Sequence, residues 1–235
     1  MARPTFSSSS ILTVASALRS DGASASLCFG TDKAPIQDGQ CQIYAVRFSG
    51  EDGDGDGGDA WAVRIPVYES LPPASITSIV QDEVDVMRKL NDAGFRWSPK
   101  LVGSDSGFSN PIGHPYLVMN WVPGDALQWT ATVPAVENRH KILRQLVQIL
   151  LELVECTQES RPGTSTQKYF TDIIDGQIAR VLTGKLPELD LRSCFVHRAL
   201  VRHVFPDETT SFAVSHGNLA AHKIIIDHDY NIKGY

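Results

Sequence analysis

Four cysteines, Cys28, Cys41, Cys156 and Cys194, are scattered over 235 residues, and none stands in a C-x-x-C pair. That spacing argues against a zinc or disulfide framework and for a reducing compartment, here expected to be cytoplasmic. Long apolar runs are lacking too: nothing approaches the ~20 residues that a membrane-spanning helix needs, so no membrane partner is expected. Positive charge is scarce, with 21 Lys and Arg against 27 Asp and Glu and a net charge of −6. Nucleic acid selects basic surfaces, so it is not an expected partner. A local cluster of cations could still hold an anionic nucleotide. No internal repeat is visible.

What is present is ordinary for a soluble globular chain: 42% hydrophobic and 20% charged residues. The length suits one large domain or two modest lobes. Ser7 to Ser10 precede Ile11-Leu12-Thr13-Val14, and no acid occurs before Asp21. That stretch reads as a Ser-capped short helix from about 10 to 18, in preference to a transit peptide. Alternation then predicts two strands, one with Tyr44, Val46 and Phe48 on one face, the other with Trp61, Val63, Ile65 and Val67. The linker Glu51 to Asp59 reads as an acidic hairpin loop. Its Asp52-x-Asp54-x-Asp56-Gly57 resembles half of a calcium loop, but the twelfth position is Val63, where a bidentate Glu is required.

Ile76, Ile79, Val80, Val84, Met87 and Leu90 recur at helical spacing, and Tyr116 to Met119 reads as a strand entering Trp121-Val122-Pro123-Gly124. Three helices are expected after that, over 136–157, about 166–183 and about 190–203, before a short strand from Lys223 to Asp227. The first of them places Ile142, Leu143, Leu146, Val147, Leu150, Leu153 and Val154 on one broad face. The second is expected to bury Tyr169, Phe170, Ile173, Ile174, Ile178 and Val181. Strands with one helix, a connector, then helices is an α+β layout of two lobes.

Ala62-Val63-Arg64 puts a small residue and a cation on the strand face opposite Trp61 and Val63. Such a pair can lie under an adenine ring and over nucleotide phosphates, though Arg64 taken alone reads more readily as an exposed edge-strand arginine. Glu83, with Asp82 and Asp85 near it, is the acid on the following helix that could hold Arg64. Asn120 to Val122 could offer backbone groups to an adenine edge. Ser215-His216-Gly217-Asn218-Leu219 has the layout of a kinase catalytic loop, H-x-D-L-x-x-x-N. Asn218 stands where that pattern has its base Asp, and Lys223 where it has a metal-binding Asn. An amide can orient a hydroxyl without accepting its proton, and an ammonium repels a divalent cation.

With these pieces in order, the chain resembles the aminoglycoside phosphotransferase and choline-kinase-like family, its fungal members in particular, over roughly residues 36–235. The resemblance rests on Ala60 to Pro66, Glu83 to Leu90, Asn110 to Tyr116 with the hinge, and Ser215 to Gly234. It implies a bilobal protein-kinase-like fold: an extension over 1–35, a small β-rich lobe over 36–120, and a hinge with a helical lobe over 121–235. It also implies magnesium-dependent transfer of the ATP γ-phosphate to a small-molecule hydroxyl. Carried over by position, Arg64 and Glu83 form the phosphate-binding pair, Ala62, Asn120 and Val122 line the nucleotide, and His216 belongs to the catalytic loop. Asn218 holds the base position and Lys223 a metal-ligand position.

Three departures fall in one loop: Asn218 for Asp, Ala221 for Pro and Lys223 for Asn. The second metal-binding Asp that the family carries after the equivalent of Tyr235 lies beyond this sequence. The expectation is a degenerate, catalytically impaired domain, with ATP as a candidate ligand, magnesium not expected, and metal-independent ATP binding through Lys223 belonging to the non-catalytic alternative. The alternatives are a non-catalytic nucleotide-binding or interaction module, or a piece of an active phosphotransferase.

Overall fold

The structure, a computed structural model, describes residues 4–28, 35–49, 59–68, 71–160, 164–184, 190–205, 211–217 and 219–235. The acidic loop expected over 51–59 lies outside the described residues, save Asp59. Two compact units are present, one of Met1–Glu152 with His216–Tyr235, the other of Leu153–Ser215.

In the first unit, α1 (Ser8–Ala17) is followed by β1 (Ser24–Leu27), β2 (Ile36–Asp38), β3 (Cys41–Ser49), β4 (Ala60–Pro66), α2 (Pro73–Asp92), β5 (Leu101–Asp105) and β6 (Tyr116–Asn120). These strands form one antiparallel sheet in the order β1-β3-β4-β6-β5, with β2 also paired to β3. Period two sorts its two faces. Tyr44, Val46 and Phe48 of β3 lie with Val63 and Ile65 of β4 and with Tyr116 and Val118 of β6. Ile11, Val14 and Ala15, three to four residues apart on α1, close over that face and are almost fully buried. Each large apolar side chain so buried contributes ~1.5–3 kcal/mol. On the opposite face Leu117 packs against Ile76, Val80 and Val84, the i, i+4, i+8 stripe of α2. Pro73 opens α2 at a position where its missing N–H costs nothing. At the far end Asn91 accepts from the Leu101 N–H at 2.8 Å, tying the helix end to the start of β5.

The chain continues through β7 (Asp125–Ala126), α3 (Val136–Thr157), β8 (Glu159–Ser160), α4 (Thr166–Leu182), α5 (Leu191–Val204), β9 (Ser211–Phe212), a single 3-10 turn (Ala221–Lys223), β10 (Ile225–Ile226) and β11 (Ile232–Gly234). Within the first unit β11, β10 and β7 make a small antiparallel sheet. The strand expected over 223–227 is shorter, because the Lys223 and Ile224 N–H groups turn back to Ala220 and Ala221 carbonyls at 2.9 Å.

The helix α3 occupies the expected span but does not bury the expected face. Ile142, Ile149 and Leu153 are buried, while Leu143, Val147, Leu150 and Val154 are exposed. In the second unit α4 and α5 pack together. The ring of Phe170 stacks on Phe205 at 4.2 Å, and Asp175 pairs with Arg198. Ser165 caps α4, accepting from the Lys168 N–H, and Asp190 caps α5, accepting from the Arg192 and Ser193 N–H groups. Tyr169 and Ile173, expected in the core, are exposed.

Candidate functional site

Register places Arg64 on β4 between Ile43 of β3 and Leu117 of β6, on the sheet face that α2 covers. Its guanidinium donates to the Glu83 carboxylate, joining strand and helix by an ion pair whose two side chains are partly exposed. Asp85 instead accepts from Gln81 and approaches Arg88 at 3.6 Å, so of the acids near Glu83 it serves the helix surface. Ala62, two residues before Arg64 and on the same strand face, is buried between Ala45 and Met119. A small side chain there leaves the sheet flat beside the cation.

At the connector, two of the three expected backbone donors are already committed. The Asn120 N–H donates to the Lys100 carbonyl at 3.0 Å and the Trp121 N–H to the Ala60 carbonyl at 2.8 Å. The Asn120 side-chain oxygen accepts from the Lys100 N–H in return. Val122 is the position whose N–H takes no partner among the described residues.

The closing segment lies against this connector. A hydrogen bond from the Leu127 N–H to the Ile224 carbonyl at 2.8 Å extends the β7–β10 pairing. The Tyr235 N–H donates to the Trp97 carbonyl at 3.1 Å. The ring of His216 stacks on Tyr235, centroids 5.3 Å apart. Burial, with the nearby Lys223 ammonium as a second cause, holds His216 below the ordinary imidazole range. Lys223 sits in the 3-10 turn, and Asn218 lies outside the described residues. Arg64 and Glu83 are therefore brought together, as are His216 and Lys223.

Asp227, at the end of the expected strand, holds the following turn. It accepts from the Asn231 N–H at 2.8 Å and the Asp229 N–H at 3.0 Å, and pairs with Lys233 at 3.1 Å. Those bonds, the Asn231 side chain first, keep its carboxyl well below the usual range. Residues of α3 grip the same turn. Gln145 accepts from the Ile232 N–H and donates to the Tyr230 carbonyl, each at 3.0 Å, and Lys141 donates to the Asp229 carbonyl at 2.7 Å. The sequence carries no local sign of Gln145 or Lys141, since 85 or more residues separate each from its partner.

The donor set can be weighed against the groups that this arrangement suggests. Magnesium takes oxygen ligands. Among the described residues no three His, Cys, Asp or Glu side chains converge, and the side chain at the expected ligand position is an ammonium. Those residues do not fit the ion. What the same residues do present is an anchored guanidinium on the sheet and, at Val122, a backbone N–H without a partner among the described residues.

A sheet with one packed helix, then a connector, and after it along the chain several helices and a small sheet, is a protein-kinase-like α+β fold. Among solved structures, a macrolide 2'-phosphotransferase type I superposes with a TM-score of 0.52 at 16% identity, over 98% of this chain and 72% of that one. The APH(2")-IIia complex with GDP and kanamycin follows at a TM-score of 0.49 and 19% identity, over 86% and 64%. No family model matches the sequence. Among curated proteins, Altered inheritance of mitochondria protein 9, mitochondrial, of Candida tropicalis is 25% identical over 118 residues. That match takes in 49% of this chain and spans about a fifth of the relative's length, 19%.

Proposed function

We propose that this chain is an aminoglycoside-phosphotransferase-like domain, catalytically impaired, that holds ATP without a metal ion. The observation that carries the reading is the Arg64–Glu83 pair between β4 and α2, because it anchors on the strand a guanidinium of the kind that pairs with phosphate. Two substitutions support impairment. With Asn218 in the base position, transfer loses a proton acceptor worth ~10²–10⁴-fold in rate. Phosphoryl transfer is otherwise positioning and charge neutralisation, and Lys223, at the position that the family gives to a metal ligand, would supply one positive charge there.

Titration calorimetry of the full chain with ATP tests the binding half. Expected is one site whose affinity is the same in magnesium and in EDTA, and at least tenfold weaker in Arg64→Ala. No heat in either buffer ends the proposal. A radiolabelled-ATP assay with kanamycin or choline tests the other half, with no turnover above buffer as the expectation. Turnover that survives purification and disappears in Arg64→Ala would show an active kinase.

A further inference from the structure

One cavity is not used by the nucleotide reading. A groove of about 400 Å³ lies in the first unit, with Leu127 and Trp129 as one wall, Leu143 and Leu146 of α3 as the second, and Leu219 and Ile224 among the residues of the third. Its floor is solid, since Leu127 and Ile224 are buried, whereas Trp129, Leu143 and Leu219 remain 39%, 49% and 40% exposed. The third wall runs from Leu219 through the 3-10 turn to Ile224, so it includes the segment that carries Lys223. None of the described residues lining the groove titrates.

Two features separate it from an ordinary apolar patch. Its aromatic wall is held in place: the Arg139 guanidinium lies 5.2 Å from the Trp129 ring centroid. Arg139 is itself fixed by donating to the Pro134 carbonyl at 2.7 Å and the Thr130 carbonyl at 2.6 Å. The ring is thus backed by a positive charge, and the residues lining the groove include no carboxylate to receive an amine. The volume also falls within the roughly 300–1,000 Å³ usual for small-molecule sites, with the apolar lining typical of them.

We propose that this groove binds a neutral, largely apolar small molecule, its ring or branched aliphatic bulk lying on Trp129 and Leu146. A polycation finds no counter-charge in it. Calling that molecule the acceptor rests on the phosphotransferase reading; the binding itself does not.

The test uses the full chain without ATP, so its result is independent of the nucleotide site. The probe is the neutral dye N-phenyl-1-naphthylamine, followed by its fluorescence. Expected is saturable binding to one site, at least tenfold weaker in Leu219→Glu and in Trp129→Ala, with melting temperatures near that of the parent. Leu200→Glu, in the separate apolar pocket between α4 and α5, leaves the affinity unchanged. Kanamycin does not displace the dye. Unsaturable binding, or binding lost in Leu200→Glu and kept in Leu219→Glu, overturns the proposal. So does a dimer by sedimentation that Leu219→Glu dissociates, because a second copy would then occupy the groove.

Discussion

Arg64 is a partly exposed cation paired with a partly exposed acid, and those exposures separate what it does for stability from what it does for binding. Screened pairs of that kind contribute ~0–1 kcal/mol to folding. Glu83→Gln is therefore expected to change the free energy of unfolding, measured in urea, by less than about 1 kcal/mol. The same change removes the charge that draws the guanidinium to α2, so ATP affinity should fall several-fold; equal affinity would mean that the Glu83 charge does not orient Arg64. Histidine sets a second residue-scale expectation. His114 donates from Nε2 to the Pro66 carbonyl at 2.7 Å, between the rings of Phe6 and Phe108. Burial pushes its imidazole below the ordinary value of 6.5, outweighing the carbonyl, and burial lowers His216 in the same sense. The unfolded chain takes up a proton near pH 6.5 that the folded imidazole refuses. Stability is then complete above that pH and declines as pH falls through the window below it. Melting temperatures from pH 7.5 to 5.5 should show the decline, and His114→Gln, which keeps a donor, should flatten the slope without abolishing it. An unchanged slope would place the titration elsewhere.

Single elements show where the sequence speaks and where it is silent. The faces of β3 and β4 are legible because a strand with one face under a helix repeats its burial every second residue. By the same rule α2 announces itself through its i, i+4 stripe. The strands β1 and β5 do not, since Ser24–Leu27 is small and polar and Leu101–Asp105 carries Gly103 and little alternation. Their strand character comes from the partner across the ladder. At Gly103 a Cβ would approach the Leu18 side chain to 2.7 Å, so a larger residue there requires that side chain to turn away. The ion pair of Arg64 and Glu83 follows from order along the chain, while the Gln145 clamp on Ile232 arises only once α3 and the hairpin meet. Gly124 offers the sharpest element-scale test. Its φ of +133° belongs to a region that side chains disfavour, and a Cβ would stand 2.5 Å from the Ile226 carbonyl oxygen. Gly124→Ala should part β7 from β10 and cost about 1–3 kcal/mol. Hydrogen exchange should show that loss at the Leu127 amide, which donates to Ile224, before it appears in β3. Uniform loss across both sheets would argue against a local effect.

For the whole molecule, the kinase-like class is legible because it rests on the order of strand cation, helix acid, connector and loop, and order survives when pattern is weak. Burial is less legible, because a helical stripe shows which side is apolar and not whether anything covers it. Along α3 the exposed positions 147 and 151 are one turn apart, and Val147 and Leu151 stand 57% and 58% open. Apolar groups left in water on neighbouring turns favour self-association more than folding, since covering them removes area that folding has not. Replacing both by lysine should therefore leave the thermal midpoint within about ±0.5 kcal/mol in stability terms, as surface changes usually do. Light scattering at high concentration should fall in the same variant, and the parent should associate more strongly as salt is raised, because excluded salts strengthen apolar contact. If the variant instead unfolds several degrees lower, these two side chains belong to the core of the folded chain, and the apolar stripe of α3 is covered after all.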